Sequence, residues 1–149
     1  IESGKQEGAE LLLGGERVFP KGDPSLESGF YIEPTIFDHV EPTAKIAQEE
    51  IFGPVLSVIS FKDEEEAIRI ANNTCYGLAA IAATTNLGRA QRLGEHISSG
   101  QLIIVGNTEF SGGGINLSYD KHGQSGIGFS SGVRGLEEYT VSTVVTLLS

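Results

Sequence analysis

The chain has 149 residues, enough for one domain that buries roughly 70% of its unfolded surface. Twenty acids against ten bases give a net charge of −10, which argues against non-specific binding to nucleic acid or an anionic membrane. One cysteine excludes an internal disulfide, and no apolar run approaches the ~20 residues of a membrane span.

In chain order, residues 1–8 read as the end of a helix and 9–13 as a short apolar strand stopped by Gly14-Gly15. Pro20, Gly22, Pro24 and Gly29 mark a loop. Residues 31–37 are extended but contain Pro34, which predicts an edge position. Residues 55–61 are β-branched and apolar and predict a strand. Asp63 then caps a helix, with Glu66 three positions on in a capping-box pattern and acids at 63–66 suiting the positive end of the helix dipole. Residues 78–84 predict a second strand, Asn86 caps a second helix running to about Ile97, and residues 101–105 predict a third strand.

The order β-α-β-α-β with short connections implies parallel strands joined by right-handed crossovers. The fold class expected is therefore α/β with a mostly parallel sheet. The continuous apolar run at 78–83 fits a sheet covered on both faces. Residues 106–132 are rich in glycine and serine, with little periodicity. Residues 140–148 read as a final β-branched strand with no helix after it, which would leave an apolar edge in need of a partner.

The run Gln48-Glu49-Glu50-Ile51-Phe52-Gly53-Pro54-Val55 carries the most chemistry. Two acids and an aromatic lead through a Gly-Pro turn into a strand, so a polar ligand could be held on an exposed loop fixed by a rigid element. Taken alone, Glu50 also reads as an acid capping a turn or standing in solvent, and Phe52 as a core aromatic. Cys75 lies in the turn Asn73-Thr74-Cys75-Tyr76-Gly77 and reads as a buried or half-buried structural thiol, since no base is close in sequence. His39, His96 and His122 lack metal-ligand spacing. The loop Gly123-Gln124-Ser125-Gly126-Ile127-Gly128 matches neither phosphate-binding glycine pattern, so its glycines read as turn residues needing positive φ.

The 48–55 run resembles the E-E-I-F-G-P-V signature of the aldehyde dehydrogenase superfamily. Three further blocks resemble that family in the family's order: Gly29-Phe30-Tyr31-Ile32-Glu33-Pro34-Thr35, then Ala71-Asn72-Asn73-Thr74-Cys75-Tyr76-Gly77-Leu78-Ala79-Ala80, then Gln124-Ser125-Gly126-Ile127-Gly128 with Leu136-Glu137-Glu138-Tyr139-Thr140. The resemblance implies an aldehyde-dehydrogenase-like catalytic region over 1–136 and an oligomerisation strand over 137–149. It implies an NAD or NADP cofactor whose nicotinamide ribose is held by Glu50, with Phe52 beside the nicotinamide.

The family reaction converts an aldehyde to an acid. A cysteine thiolate adds to the aldehyde, hydride passes to the nicotinamide and the thioester is hydrolysed. The family's F-x-x-x-G-Q-x-C element does not occur in this chain, so no catalytic residue is assigned here. The resemblance thus implies the C-terminal portion of such an enzyme, completed by an N-terminal cofactor-binding portion and inactive by itself. A non-catalytic remnant or interaction module with the same fold is the alternative.

Aligning Gly100-Gln101-Leu102-Ile103-Ile104-Val105 with the family strand places Phe110 at a substrate-tunnel aromatic. The family's asparagine is Val105 here, its P-F-G-G is Ser118-Tyr119-Asp120-Lys121, and the loop is longer. Homo-oligomerisation through residues 140–149 and a cytoplasmic location are the remaining expectations, with no metal, nucleic acid or membrane partner.

Overall fold

The computed structural model describes residues 1–19, 22–106 and 117–147, in two units, Ile1–Asn73 and Thr74–Ser149. The first contains α1 (Glu2–Gln6), β1 (Glu10–Leu13), a 3-10 turn (Pro24–Ser28), β2 (Thr35–Asp38), α2 (Lys45–Gln48), β3 (Val55–Ser57) and α3 (Glu64–Ala71). The second contains β4 (Tyr76–Gly77), β5 (Ala79–Ala83), α4 (Leu87–His96), β6 (Gln101–Val105), β7 (Tyr119–Asp120), β8 (His122–Gly123), β9 (Phe129–Ser130) and α5 (Gly132–Glu137).

In the first unit the sheet order is β1-β2-β3, with β1 antiparallel and β3 parallel to β2. The edge position expected for residues 31–37 is therefore wrong, because β2 is central. Pro34 stands just before the strand, so its missing N–H falls outside the ladder, and the Thr35 N–H makes the first bond, to the Pro54 carbonyl at 2.8 Å.

Alternation along β2 sends Thr35 and Phe37 to one side, 2% and 0% exposed. Phe37 forms the core with Val40, Ala44 and Ile46, and Ile1, Leu11, Ile51 and Val55 are among the side chains packed around it. Helix α1 comes close to this core at Gly4. A Cβ there would meet Ile46 Cδ1 at 2.8 Å and the Phe37 ring at 3.1 Å, so any larger residue would have to push these core side chains aside. The Thr35 hydroxyl accepts from Gly15 N–H at 2.9 Å and donates to the Glu33 carbonyl at 2.8 Å, which satisfies a buried polar atom twice.

The third strand is shorter than the expected 55–61. Past Ser57 the ladder gives way to single bonds, Val58 N–H to Phe37 O and Val40 N–H to Val58 O, around His39 at φ 52°. The Asp63 cap forms as expected: its carboxylate accepts the Glu66 N–H at 2.9 Å. The return half of the box shifts by one residue, since Glu66 accepts from Lys62 N–H at 2.9 Å instead of from the cap.

In the second unit, β5 and β6 pair in parallel over five residues, Ala79 opposite Gln101 through Ala83 opposite Val105, with α4 as the crossover. Asn86 caps α4 by accepting the Arg89 N–H at 2.9 Å. β4 pairs antiparallel with β8, and β7 with β9. The α/β class holds, with parallel pairs β2-β3 and β5-β6, but the expected continuous β-α-β-α-β sheet does not appear among the described residues: β3 pairs with β2 and β5 with β6 in separate small sheets, and the remaining pairings are antiparallel. β5 departs from expectation: its burial alternates and Ile81 is 68% exposed, so one apolar face is uncovered.

The turn reading of the glycine loop holds. Gly123, Gly126 and Gly128 take φ of 58°, 133° and 83°, and a Cβ on Gly123 would run into the Cys75 carbonyl oxygen.

One further expectation fails, and the tail is unpaired among the described residues of this chain. Cys75 is exposed, not buried. Residues 140–147 form no strand, and Val141, Val144 and Leu147 are each more than 90% exposed. A strand exists only as part of a ladder, and no described segment pairs with this one.

Candidate functional site at the Glu49–Pro54 tip

Helix α2 is a single turn, too short to stand alone. Tertiary contacts hold it. Ile46 is buried in the core, its carbonyl accepts from Ser57 Oγ at 3.0 Å, and the Lys45 N–H donates to Glu7 Oε2 at 2.8 Å. The Glu49 N–H makes the last helical bond, to the Lys45 carbonyl at 2.8 Å, and the chain then turns extended.

The segment from Glu49 to Pro54 projects from this base and is tied at its far end by the Thr35–Pro54 bond. Between these ends Ile51 packs against the core, while the Gly53 N–H closes a tight turn on the Ile51 carbonyl at 2.8 Å. With Ile51 directed inward, Glu50 and Phe52 lie outward. Phe52 is 96% exposed, so it is not a core aromatic. Glu50 is exposed, and no hydrogen bond or ion pair engages it among the described residues. Glu49 pairs instead with Lys45 at 3.6 Å, one turn back, which fits a structural acid.

The tip thus offers two carboxylate oxygens free to accept and an open aromatic face on a braced support. Acceptors beside a ring can engage a ligand that carries adjacent hydroxyls next to a flat group. The structure brings Glu50 and Phe52 together on one tip, whereas Phe110 lies outside the described residues. Two residues that hold the tip do not stand out in the sequence. One is Thr35, whose amide ties its far end. The other is Gln48, whose Nε2 donates to the carbonyls of Pro42 at 2.6 Å and Asn73 at 2.8 Å. An amide side chain at the end of a one-turn helix was the available signal.

Among the described residues no helix is long and apolar enough to cross a membrane, and no cluster of three or more His, Cys, Asp or Glu could hold a metal.

The aldehyde dehydrogenase family's sequence model matches residues 1–145, and the chain belongs to that family. It is similar to an aldehyde dehydrogenase-like protein of Schizosaccharomyces pombe, 43% identical over 140 residues, covering 94% of this chain and 26% of that protein. Among solved structures it is similar to a betaine aldehyde dehydrogenase of Staphylococcus aureus in complex with NAD+, with 36% identity, a TM-score of 0.80, and coverage of 95% of this chain and 28% of that one. The aldehyde dehydrogenase KauB of Pseudomonas aeruginosa is 42% identical with a TM-score of 0.80, over 93% of this chain and 26% of that one. The chain therefore spans about a quarter of the length of these relatives.

Proposed function

We propose that this chain is the C-terminal portion of an NAD(P)-dependent aldehyde dehydrogenase that oxidises an aldehyde to a carboxylic acid, and that it supplies the cofactor anchor and not the nucleophile. The observation that carries this reading is the outward pair Glu50 and Phe52 on a tip braced at both ends, inside the E-E-I-F-G-P-V run. When bound, the nicotinamide cofactor takes up the hydride leaving the substrate. Glu50 would hold its ribose through two hydroxyl-to-carboxylate hydrogen bonds, and Phe52 would flank the nicotinamide ring. NAD+ in the Staphylococcus aureus structure supports an NAD-type cofactor. Phe110 would line the aldehyde tunnel, and the nucleophilic cysteine would come from the preceding part of the enzyme.

Glu50→Gln in the full-length enzyme tests the anchor. The amide keeps the shape but loses the charge, and a charged hydrogen bond contributes about 1.5–3 kcal/mol. The cofactor KM is expected to rise roughly tenfold to a hundredfold on that basis, with the aldehyde KM little changed. A cofactor KM and kcat both equal to wild type would remove Glu50 from this role.

Residues 140–149 would pair with a neighbouring subunit. Their exposed valines and leucine, unpaired within the described chain, support this. Deleting them should shift a full-length oligomer to smaller species by light scattering at matched concentration. An unchanged mass would dismiss the tail as an assembly element.

A further inference from the structure

We propose that Gln48 is a positioning residue for Glu50, a role that rests on reading Glu50 as the cofactor anchor. Glu50 has no side-chain partner among the described residues to aim it, so the backbone alone sets where its carboxylate lies. That backbone leaves α2 two residues earlier, at Gln48. Both donors of the Gln48 amide are used there, one on the Pro42 carbonyl at 2.6 Å and one on the Asn73 carbonyl at 2.8 Å. Pro42 lies in the connection from β2 to α2, and Asn73 follows the C-terminal end of α3, where its own N–H donates to the Ile70 carbonyl at 3.0 Å.

One half-buried side chain therefore ties the exit of a one-turn helix to two segments that are themselves fixed. A helix of four residues has too few internal bonds to hold its last turn. The near side of the tip depends on this clamp, as the far side depends on the Thr35–Pro54 bond. The part-buried Pro42 carbonyl loses its short bond if the amide is removed and keeps only the long one from Asn73 Nδ2 at 3.5 Å, so the clamp is weakened at this point.

The test uses the full-length enzyme and three variants. Gln48→Glu keeps the size but sets carboxylate oxygens against two carbonyl oxygens. Gln48→Lys restores donors without the amide. Glu50→Gln serves as the reference for loss of the anchor itself. In Gln48→Glu, hydrogen exchange followed by mass spectrometry should quicken about tenfold in the peptide covering residues 45–53 and stay at the wild-type rate in the β2 peptide. The KM for NAD should rise about tenfold, with kcat and aldehyde KM within about twofold. Gln48→Lys should return both readouts most of the way.

Exchange that is unchanged at the tip, or that quickens equally across β2, would overturn the proposal, the latter because it marks a general structural role. It also falls if Glu50→Gln raises the NAD KM and Gln48→Glu does not. If Glu50→Gln itself leaves the NAD KM unchanged, Glu50 is not the anchor and Gln48 positions nothing that binds cofactor, even where exchange shows that the clamp is real.

Discussion

Purified residues 1–149, given NAD or NADP and a panel of aldehydes, are expected to produce no NADH or NADPH above blank. Covalent aldehyde oxidation needs a thiolate held against the carbonyl carbon, and holding reactants in place is worth an effective molarity of about 10⁵–10⁸ M. Cys75, the only thiol, is exposed in a turn, and among the described residues no hydrogen bond or ion pair joins its sulfur to a base. Its carbonyl has a structural part, accepting the Gln124 N–H at 2.7 Å. Nothing in this arrangement activates the thiol or seats an aldehyde over it. Cofactor absorbance at 340 nm, read after two rounds of purification, makes the measurement. Turnover that survives repurification and disappears in Cys75→Ser would make Cys75 the nucleophile and end the reading of this chain as an anchor-bearing portion.

The second large effect is on stability. Phe37→Ala should destabilise the chain by about 3–5 kcal/mol, the range for emptying a buried phenylalanine site. The first unit has few fully buried side chains, and Phe37 is central among them: fully buried, on the middle strand of its sheet, touching α1 at Gly4 and backed by Ile46. Collapse into the vacated space is limited, because the ladder to β1 and β3 fixes the backbone on both sides. Against a total of about 5–15 kcal/mol for an ordinary domain, that loss removes much of the margin. Phe52→Ala is the matched control. The same substitution at a 96% exposed ring should change stability by less than about 0.5 kcal/mol. Urea titration followed by far-ultraviolet circular dichroism should show a lower midpoint for Phe37→Ala only. Equal midpoints for the two variants would mean that Phe37 does not anchor the core.

What the sequence by itself determined was local. Asp63 and Asn86 cap their helices as their position before apolar-periodic segments predicts, because a cap involves an oxygen and an N–H only three residues apart. The run at 101–105 becomes a strand with the expected bounds, and the glycines at 123, 126 and 128 take positive φ, again choices a few neighbouring residues make. The E-E-I-F-G-P-V run was legible for the same reason, since its acid, aromatic and turn are adjacent in the chain.

Tertiary structure decided everything that depended on a distant partner. Pro34 suggested an edge, yet β2 is central because β1 and β3 supply neighbours on both sides and the proline stops one residue short of the ladder. The apolar run at 78–83 suggested cover on both faces, yet Ile81 is exposed, since apolarity states a demand for burial and not what meets it. Residues 140–147 are mostly β-branched and form no strand within this chain, because the propensity of one segment cannot provide the second half of a ladder. The aim of Glu50 belongs to the same class. Its neighbours place it on a tip, but the Gln48 amide holds that tip through carbonyls six and twenty-five residues away, a bond that exists only once the two segments have met.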